Sequence, residues 1–561
     1  TLAFATNSGS RVTINSNGKA TFNVDVEING LTVGKGTNSI GGNTAFGVNA
    51  FSANSSGSSN TGIGYHALEN HTSGTNNTAV GTFALDESTT GLSNTAIGSS
   101  ALSASTTASY NTAVGANALG LNTSGVNNVA VGWNCFDANT SGSNGIAIGN
   151  NALGSNTTAS NNVAVGTNSL ANNTTGTLNV SVGTSNLNNN TTGQKLTAVG
   201  HAALMSNTTA NDNTAVGYHA SQQNTTGVNN VSVGSEALEN NTTGSGHVAV
   251  GREALHLNTT GSENTAMGYG ALANNTTGDY NTGIGREALQ QNTTASNNTA
   301  VGYQALEENT TGTKNVAVGT QSLDTNTTGD FNTALGHNTL GLNTTGDSNV
   351  AVGRAALANN TTASNNTAVG DESLLNNTTA VNNTAVGHAA LKANTTGTQN
   401  VAVGSNALDA NTTASSNTAV GYDALTANTT GYQNTALGQN SLDANTTGNN
   451  NVGLGRAALG ANTTASNNTA VGMNALIANT TGGDNTVLGS IALDANTTGA
   501  RNTALGRDSL GNNTTGSDNV VIGQSAFARQ TTVSNNVGIG NEAGSFQLGS
   551  NNIAIGRKCI I

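Results

Sequence analysis

A five-residue phrase, Asn-[Thr/Val]-Ala-[Val/Ile/Leu]-Gly, recurs every 17 residues from Asn43 to Asn536 without a slip in register. One unit copied about thirty times cannot bury its hydrophobic face alone, so the chain is expected to stack its copies as a solenoid. The glycine that closes the phrase runs as Gly47, Gly64, Gly81 and Gly98 through Gly523 and Gly540, and no copy replaces it. A demand of the backbone, rather than of side-chain packing, accounts for such strictness.

With the first Asn of the phrase as position one, positions two and four carry residues such as Val129 and Val131, or Thr299 and Val301, on either side of a small third residue. That period of two predicts a short β-strand with the second and fourth side chains on one face. Positions eight and nine, as in Ala84-Leu85, Ala254-Leu255 and Ala458-Leu459, predict a second short extended segment with an inward anchor. Two strands per coil are therefore expected. Positions six and ten drift among Arg252, His337 and Asp371, and among Glu69, Asp137, His256 and Lys392, as solvent-facing positions do.

The third position holds Ala, Gly or Ser in every copy except Val487 and Val521. A face pointing away from the second and fourth residues would drift if it were solvated. Its restriction therefore implies close approach of another surface, most simply a second copy of the chain. The alternative is steric pressure from within the same coil.

Each coil also carries a turn written Asn-Thr-Thr-Gly or Asn-Thr-Thr-Ala, as at 173–176, 326–329 and 462–465. Asn and Gly suit left-handed turn conformations, and stacked Asn and Thr can form side-chain ladders along the axis. The triplet is formally an N-glycosylation acceptor from Asn156 through Asn513, although a turn already explains it. An ice-binding Thr array is a further reading. It is disfavoured because adjacent Thr residues should not share one flat face.

The composition agrees with a solenoid: 73 Gly, no Pro and 8 % charged residues among 561. Proline would remove a donor from an inter-coil ladder. Low complexity alone would permit disorder, but the regular register of Val, Leu and Gly argues against it. The net charge of −13 and the scattered 15 Lys and Arg form no basic stripe, so nucleic-acid binding is not expected. No run of 18 apolar residues predicts membrane insertion, and no signal peptide is legible at the start. Cys135 and Cys559 lie too far apart in a stack to pair with each other. Cys135 and Phe136 replace the usual Ala-Leu and predict a local core repacking near Trp133, while Cys559 is read as a free thiol or an inter-chain partner.

No catalytic, cofactor-binding or metal-ligating set emerges. The histidines at 66, 71, 201, 219, 247, 256, 337 and 388 scatter over several repeat positions and read as solvated surface. The Gly-rich runs lack the P-loop and dinucleotide signatures, and the Asp-containing calcium nonapeptide is absent. The chain is thus expected not to be an enzyme and to need no cofactor. Receptor-contacting residues are unassigned, with Tyr218, Tyr303 and Tyr422 as exposed candidates.

Three regions follow. Residues 1–42 read as an N-terminal β-hairpin cap or connector, from Arg11–Ile14, the turn Asn15–Gly18 and Ala20–Val24, then Val26–Ile28 and Leu31–Val33. Residues 43–540 form the repeat solenoid. Residues 541–561 form an irregular terminal coil, in which the register shortens by one between Asn536 and Asn552, Ala543-Gly544 replaces Ala-Leu, and Phe546 is a candidate substitute anchor.

The segments Ser10-Arg11-Val12-Thr13-Ile14-Asn15-Ser16-Asn17-Gly18 and Ile28-Asn29-Gly30-Leu31-Thr32-Val33-Gly34, followed by tandem Asn-Thr-Ala-Val-Gly-x-x-Ala-Leu-x-x-Asn-Thr-Thr-Gly, resemble the tail-fibre and tail-spike proteins of bacteriophages. The Asn-x-Ala-Val-Gly phrase is also similar to the head repeats of trimeric autotransporter adhesins, which are left-handed parallel β-rolls packed as homotrimers. Those repeats are typically shorter than 17 residues, and a coiled-coil stalk, a membrane-anchor barrel and a C-terminal self-cleaving chaperone are not legible here.

The resemblance implies an all-β, left-handed parallel β-roll in an intimately packed homotrimer. Its place would be the virion, as a tail-fibre shaft joined to other tail proteins and presenting a multivalent surface to a host cell-surface glycan or protein. A bacterial cell-surface adhesin or extracellular filament is the alternative. Coils about 4.8 Å apart would give a shaft of about 150 Å.

Overall fold

The computed structural model describes residues 2–6, 9–14, 16–22, 24–544, 546 and 549–559 and divides into two compact units, Thr1–Thr277 and Gly278–Ile561. In the first unit, Leu2–Thr6, Gly9–Ile14 and Ala20–Phe22 make a three-stranded antiparallel sheet in that order. Thr13 pairs with Thr21 and Ile14 with Ala20; the expected turn residue Asn15 lies outside the described residues. Val26–Ile28 and Leu31–Gly34 form a second hairpin. Leu31–Gly34 then pairs antiparallel with Thr44–Val48, the first strand of the repeat.

From there each unit is a parallel β-solenoid of 17-residue coils. Thr78, Ala79 and Val80 pair with Thr95, Ala96 and Ile97 in the first unit, and Thr367, Ala368 and Val369 with Thr384, Ala385 and Val386 in the second. The last pairing, of Val537–Ile539 with Ile553–Ile555, steps by 16. Among the described residues the only helical turn is Thr37–Ser39.

One strand per coil is present, not two. The segment at positions eight and nine is a turn in which positions seven and nine have left-handed backbones, as at Phe83 (φ 56°) and Leu85 (φ 51°). Such conformations cost an L-residue roughly 1–2 kcal/mol. Here they direct alternate amides to opposite neighbours: Phe83 N donates to Tyr65 O at 2.9 Å in the coil before, and Leu85 N to Ala101 O at 3.1 Å in the coil after. Inter-coil hydrogen bonding thus continues past the strand.

The facing of the strand is the reverse of the sequence expectation. Third-position residues such as Ala79, Ala96, Ala351 and Ala368 are fully buried, as are Val487 and Val521, while the second and fourth side chains stand outside, half-exposed or exposed. A coil of 17 residues encloses a narrow interior, already occupied by the eighth-position Ala, the ninth-position Leu and two Asn columns. Dense packing leaves room there for little beyond a methyl group. Steric pressure from within the coil, not an approaching second chain, therefore restricts the third position.

The strict glycine has two causes. Gly81 has φ +142°, and a Cβ on it would lie 2.3 Å from the carbonyl oxygen of Gly98 in the next coil. Any side chain would both strain the backbone and separate the coils.

The two Asn columns form ladders. At position one, Asn77 N donates to Asn60 Oδ1 at 2.8 Å, and Asn77 Nδ2 donates to Gly91 O at 2.8 Å. At position twelve, Asn326 Nδ2 donates to Asn309 Oδ1 at 2.8 Å and to Gly329 O at 3.1 Å. The following Thr joins in, with Thr327 Oγ1 donating to Thr344 O at 3.0 Å. Left-handed backbone falls not at these Asn residues but at position seventeen, as at Asn76 and Asn161.

The formal glycosylation acceptors, Asn156 to Asn513, are all buried. With its amide nitrogen engaged in the ladder, such an Asn cannot carry a glycan in the folded chain.

Three further expectations are corrected. Trp133 is 57 % exposed and takes no part in the core, whereas Phe136 is buried against Gly145. Phe546 is 55 % exposed. The space where it was expected to anchor is filled instead by Phe527, whose ring would lie 2.5 Å from a Cβ on Gly538 or Gly544. His71 and His247 are buried rather than solvated, because they stand in the Asn columns.

Candidate functional surface

The strand alternation that places Ala inside places an apolar file outside. In the first unit Ile97, Val182, Val233 and Met267 are exposed on the sheet face; in the second, Leu335, Leu437, Leu488 and Ile522 are. Parallel pairing holds these side chains in register one coil apart. A polar edge accompanies the file at position six, where Tyr65, Trp133, Tyr218 and Tyr269 are exposed in the first unit and Tyr303 and Tyr422 in the second. The candidate contacts Tyr218, Tyr303 and Tyr422 thus occupy equivalent places, on an open surface.

Neighbours along and beside this edge interact across successive coils. Arg252 lies over the Tyr269 ring at 5.9 Å, and Arg286 over Tyr303 at 5.8 Å, a range in which a cation is attracted by the ring face. Arg354 binds Asp371 at 2.9 Å and Glu372 at 2.8 Å, and Lys392 reaches Glu372 at 2.7 Å. Hydrogen bonds from Lys392 and Arg354 hold Glu372 below the ordinary carboxylate range.

Position ten is less solvated than its variability implies. Burial pushes Asp86 up to about 6 and raises Asp137, Asp324, Asp409, Asp443 and Asp494 in the same column.

The structure also brings together a side-chain cluster that sequence reading missed. Ligand-type atoms of Glu236, Glu239 and His256 lie within 4.8 Å of one another. His219 Nδ1 is 3.1 Å from Glu239 Oε1, and His256 Nδ1 is 3.4 Å from Glu239 Oε2. The signal was present as separations of 17 and 20 residues, which in a 17-residue stack connect position ten with position ten, and position seven with position ten, of successive coils. Spacing rules drawn from helices and zinc fingers do not include them.

Comparison with models of known protein families and with curated protein sequences found no match.

Proposed function

We propose that this chain is the shaft of a structural fibre, assembled as a homotrimer through the outward sheet face, and specifically a bacteriophage tail fibre that carries a multivalent host-attachment surface. The observation that supports assembly is the apolar file at position four, beside a second position that alternates between Thr and Val or Ile. At roughly 50 Å² per side chain, about six coils of it already reach the ~300–600 Å² that monomers ordinarily leave as their largest apolar patch. A partner must match the file at every coil. Another copy of the chain has the same 17-residue period and does so without adjustment.

The tail-fibre assignment rests on the resemblance of the leading segments and the repeat to phage fibres. The mechanism is mechanical: three equivalent edges bearing Tyr, Trp and Arg present weak contacts that add by avidity.

Sedimentation equilibrium of the full chain tests the assembly, with three chain masses expected and a stable monomer overturning it. Gold-labelled antibody against the repeat tests the place of action. Label on fibres projecting from virions supports the tail fibre; label on cell envelopes without phage replaces it with a cell-surface adhesin.

A further inference from the structure

We propose that Glu236, Glu239 and His256 form a binding site for a divalent transition-metal ion of the Zn²⁺ type, which clips two successive coils together. Glu236 and Glu239 belong to the coil 230–246, and His256 belongs to the coil 247–263. The three ligand atoms lie within 4.8 Å of one another. Ligand atoms around a four-coordinate ion at ~2.0–2.2 Å are themselves about 3.3–3.6 Å apart, and Glu239 Oε2 and His256 Nδ1 stand at 3.4 Å.

Two carboxylates held this close repel each other unless a cation lies between them. An imidazole nitrogen with two carboxylate oxygens suits a borderline first-row ion better than Mg²⁺ or Ca²⁺, which favour oxygen alone. His219 Nδ1, on the opposite oxygen of Glu239, orients that carboxylate as outer partners of metal ligands do. The fourth coordination position is left to water. Glu253, at the same repeat position as Glu236 one coil on, is paired with Arg252 at 2.8 Å.

The side chains sit at positions seven and ten, which vary freely along the repeat, so replacing them leaves the coil intact. The ion therefore adds stability locally: it links the amides around Leu238 and Leu255 across the clip and resists separation of the two coils.

The test is calorimetric titration of Zn²⁺ into the full chain after chelator treatment. One tight equivalent per chain is expected. Glu239→Gln and His256→Asn should each weaken it about a hundredfold or more, and His219→Asn by about 10–100-fold with unchanged stoichiometry. His388→Asn, at an exposed histidine elsewhere, should leave it unchanged. X-ray absorption of the Zn²⁺-loaded wild type should show imidazole and oxygen ligands. Absence of saturable binding, tight binding that survives both Glu239→Gln and His256→Asn, or a sulfur shell from Cys135 or Cys559 would overturn the site.

Discussion

The ring of Phe136 occupies the space that a side chain at residue 145 would need: a Cβ on Gly145 would lie 2.4 Å from Phe136 Cε1. Elsewhere the ninth position is usually Leu and the first usually Asn, so an enlargement in one coil is matched by a deletion in the next. Phe51 with Gly62 and Phe527 with Gly538 make the same exchange at the third position, where Ala is usual. Where Ser replaces Ala on both sides instead, the two hydroxyls pair, as Ser169 Oγ donates to Ser181 Oγ at 2.6 Å.

Gly145→Asn alone should therefore destabilise the surrounding coils by about 1–3 kcal/mol through overpacking. Phe136→Leu alone should open a void. The double variant restores the consensus pair and the Asn ladder together, so it should be at least as stable as the wild type. A double-mutant cycle read by hydrogen exchange of the local amides measures the coupling; additive effects would contradict the size relationship.

The twelfth-position ladder has a gap near the start of the repeat. His71 Nδ1, Ser88 Oγ and Ser105 Oγ are buried without partners. Ser105→Asn gives Asn122 Nδ2 the acceptor that its counterparts have and should stabilise by about 1 kcal/mol. Asn326→Ala removes a rung at both its ends, since Asn343 Nδ2 donates to Asn326 Oδ1 at 2.8 Å, and should cost about 1–3 kcal/mol. Protease resistance and thermal midpoints of the two variants should move in opposite directions.

Stability should depend on pH through the tenth-position column. Burial raises Asp86 from 3.8 to about 6, so between those values the folded chain binds a proton that the unfolded chain releases. Its contribution is fully present below the unfolded value and is lost as pH rises through about 6. Asp86→Asn should therefore raise the thermal midpoint at pH 7 and change it little near pH 4. Buried His71, lowered from 6.5, acts in the opposite sense, with stability lost as pH falls below that value. His71→Asn should enlarge the gain on acidification.

The two thiols should differ sharply. Cys135 is buried, its Sγ donates to Ala147 O at 3.0 Å, and burial pushes its thiol up to about 12. Cys559 is partly exposed. A chromogenic disulfide reagent should titrate one thiol per folded chain quickly and the second only after denaturation. Fast reaction of both would contradict the burial of Cys135.

The 17-residue period by itself determined the architecture. A strict residue number per coil, an invariant Gly and columns of Asn and Thr leave a parallel stack as the way to satisfy backbone and amide groups together. Which side of the strand faces inward was beyond it. Period-two alternation specifies two opposite faces without naming the inner one, and hydrophobicity alone puts Val80 inside and Ala79 out. The radius of the coil reverses that choice, because Leu85 and the Asn columns leave room beside the strand for a small side chain, a methyl group in most coils. Closure of the ring likewise required the left-handed backbone at Leu85, which an Ala-Leu pair does not announce. The juxtaposition of Glu236, Glu239 and His256 was decided in three dimensions, since neighbours along the stack are a full coil apart in sequence.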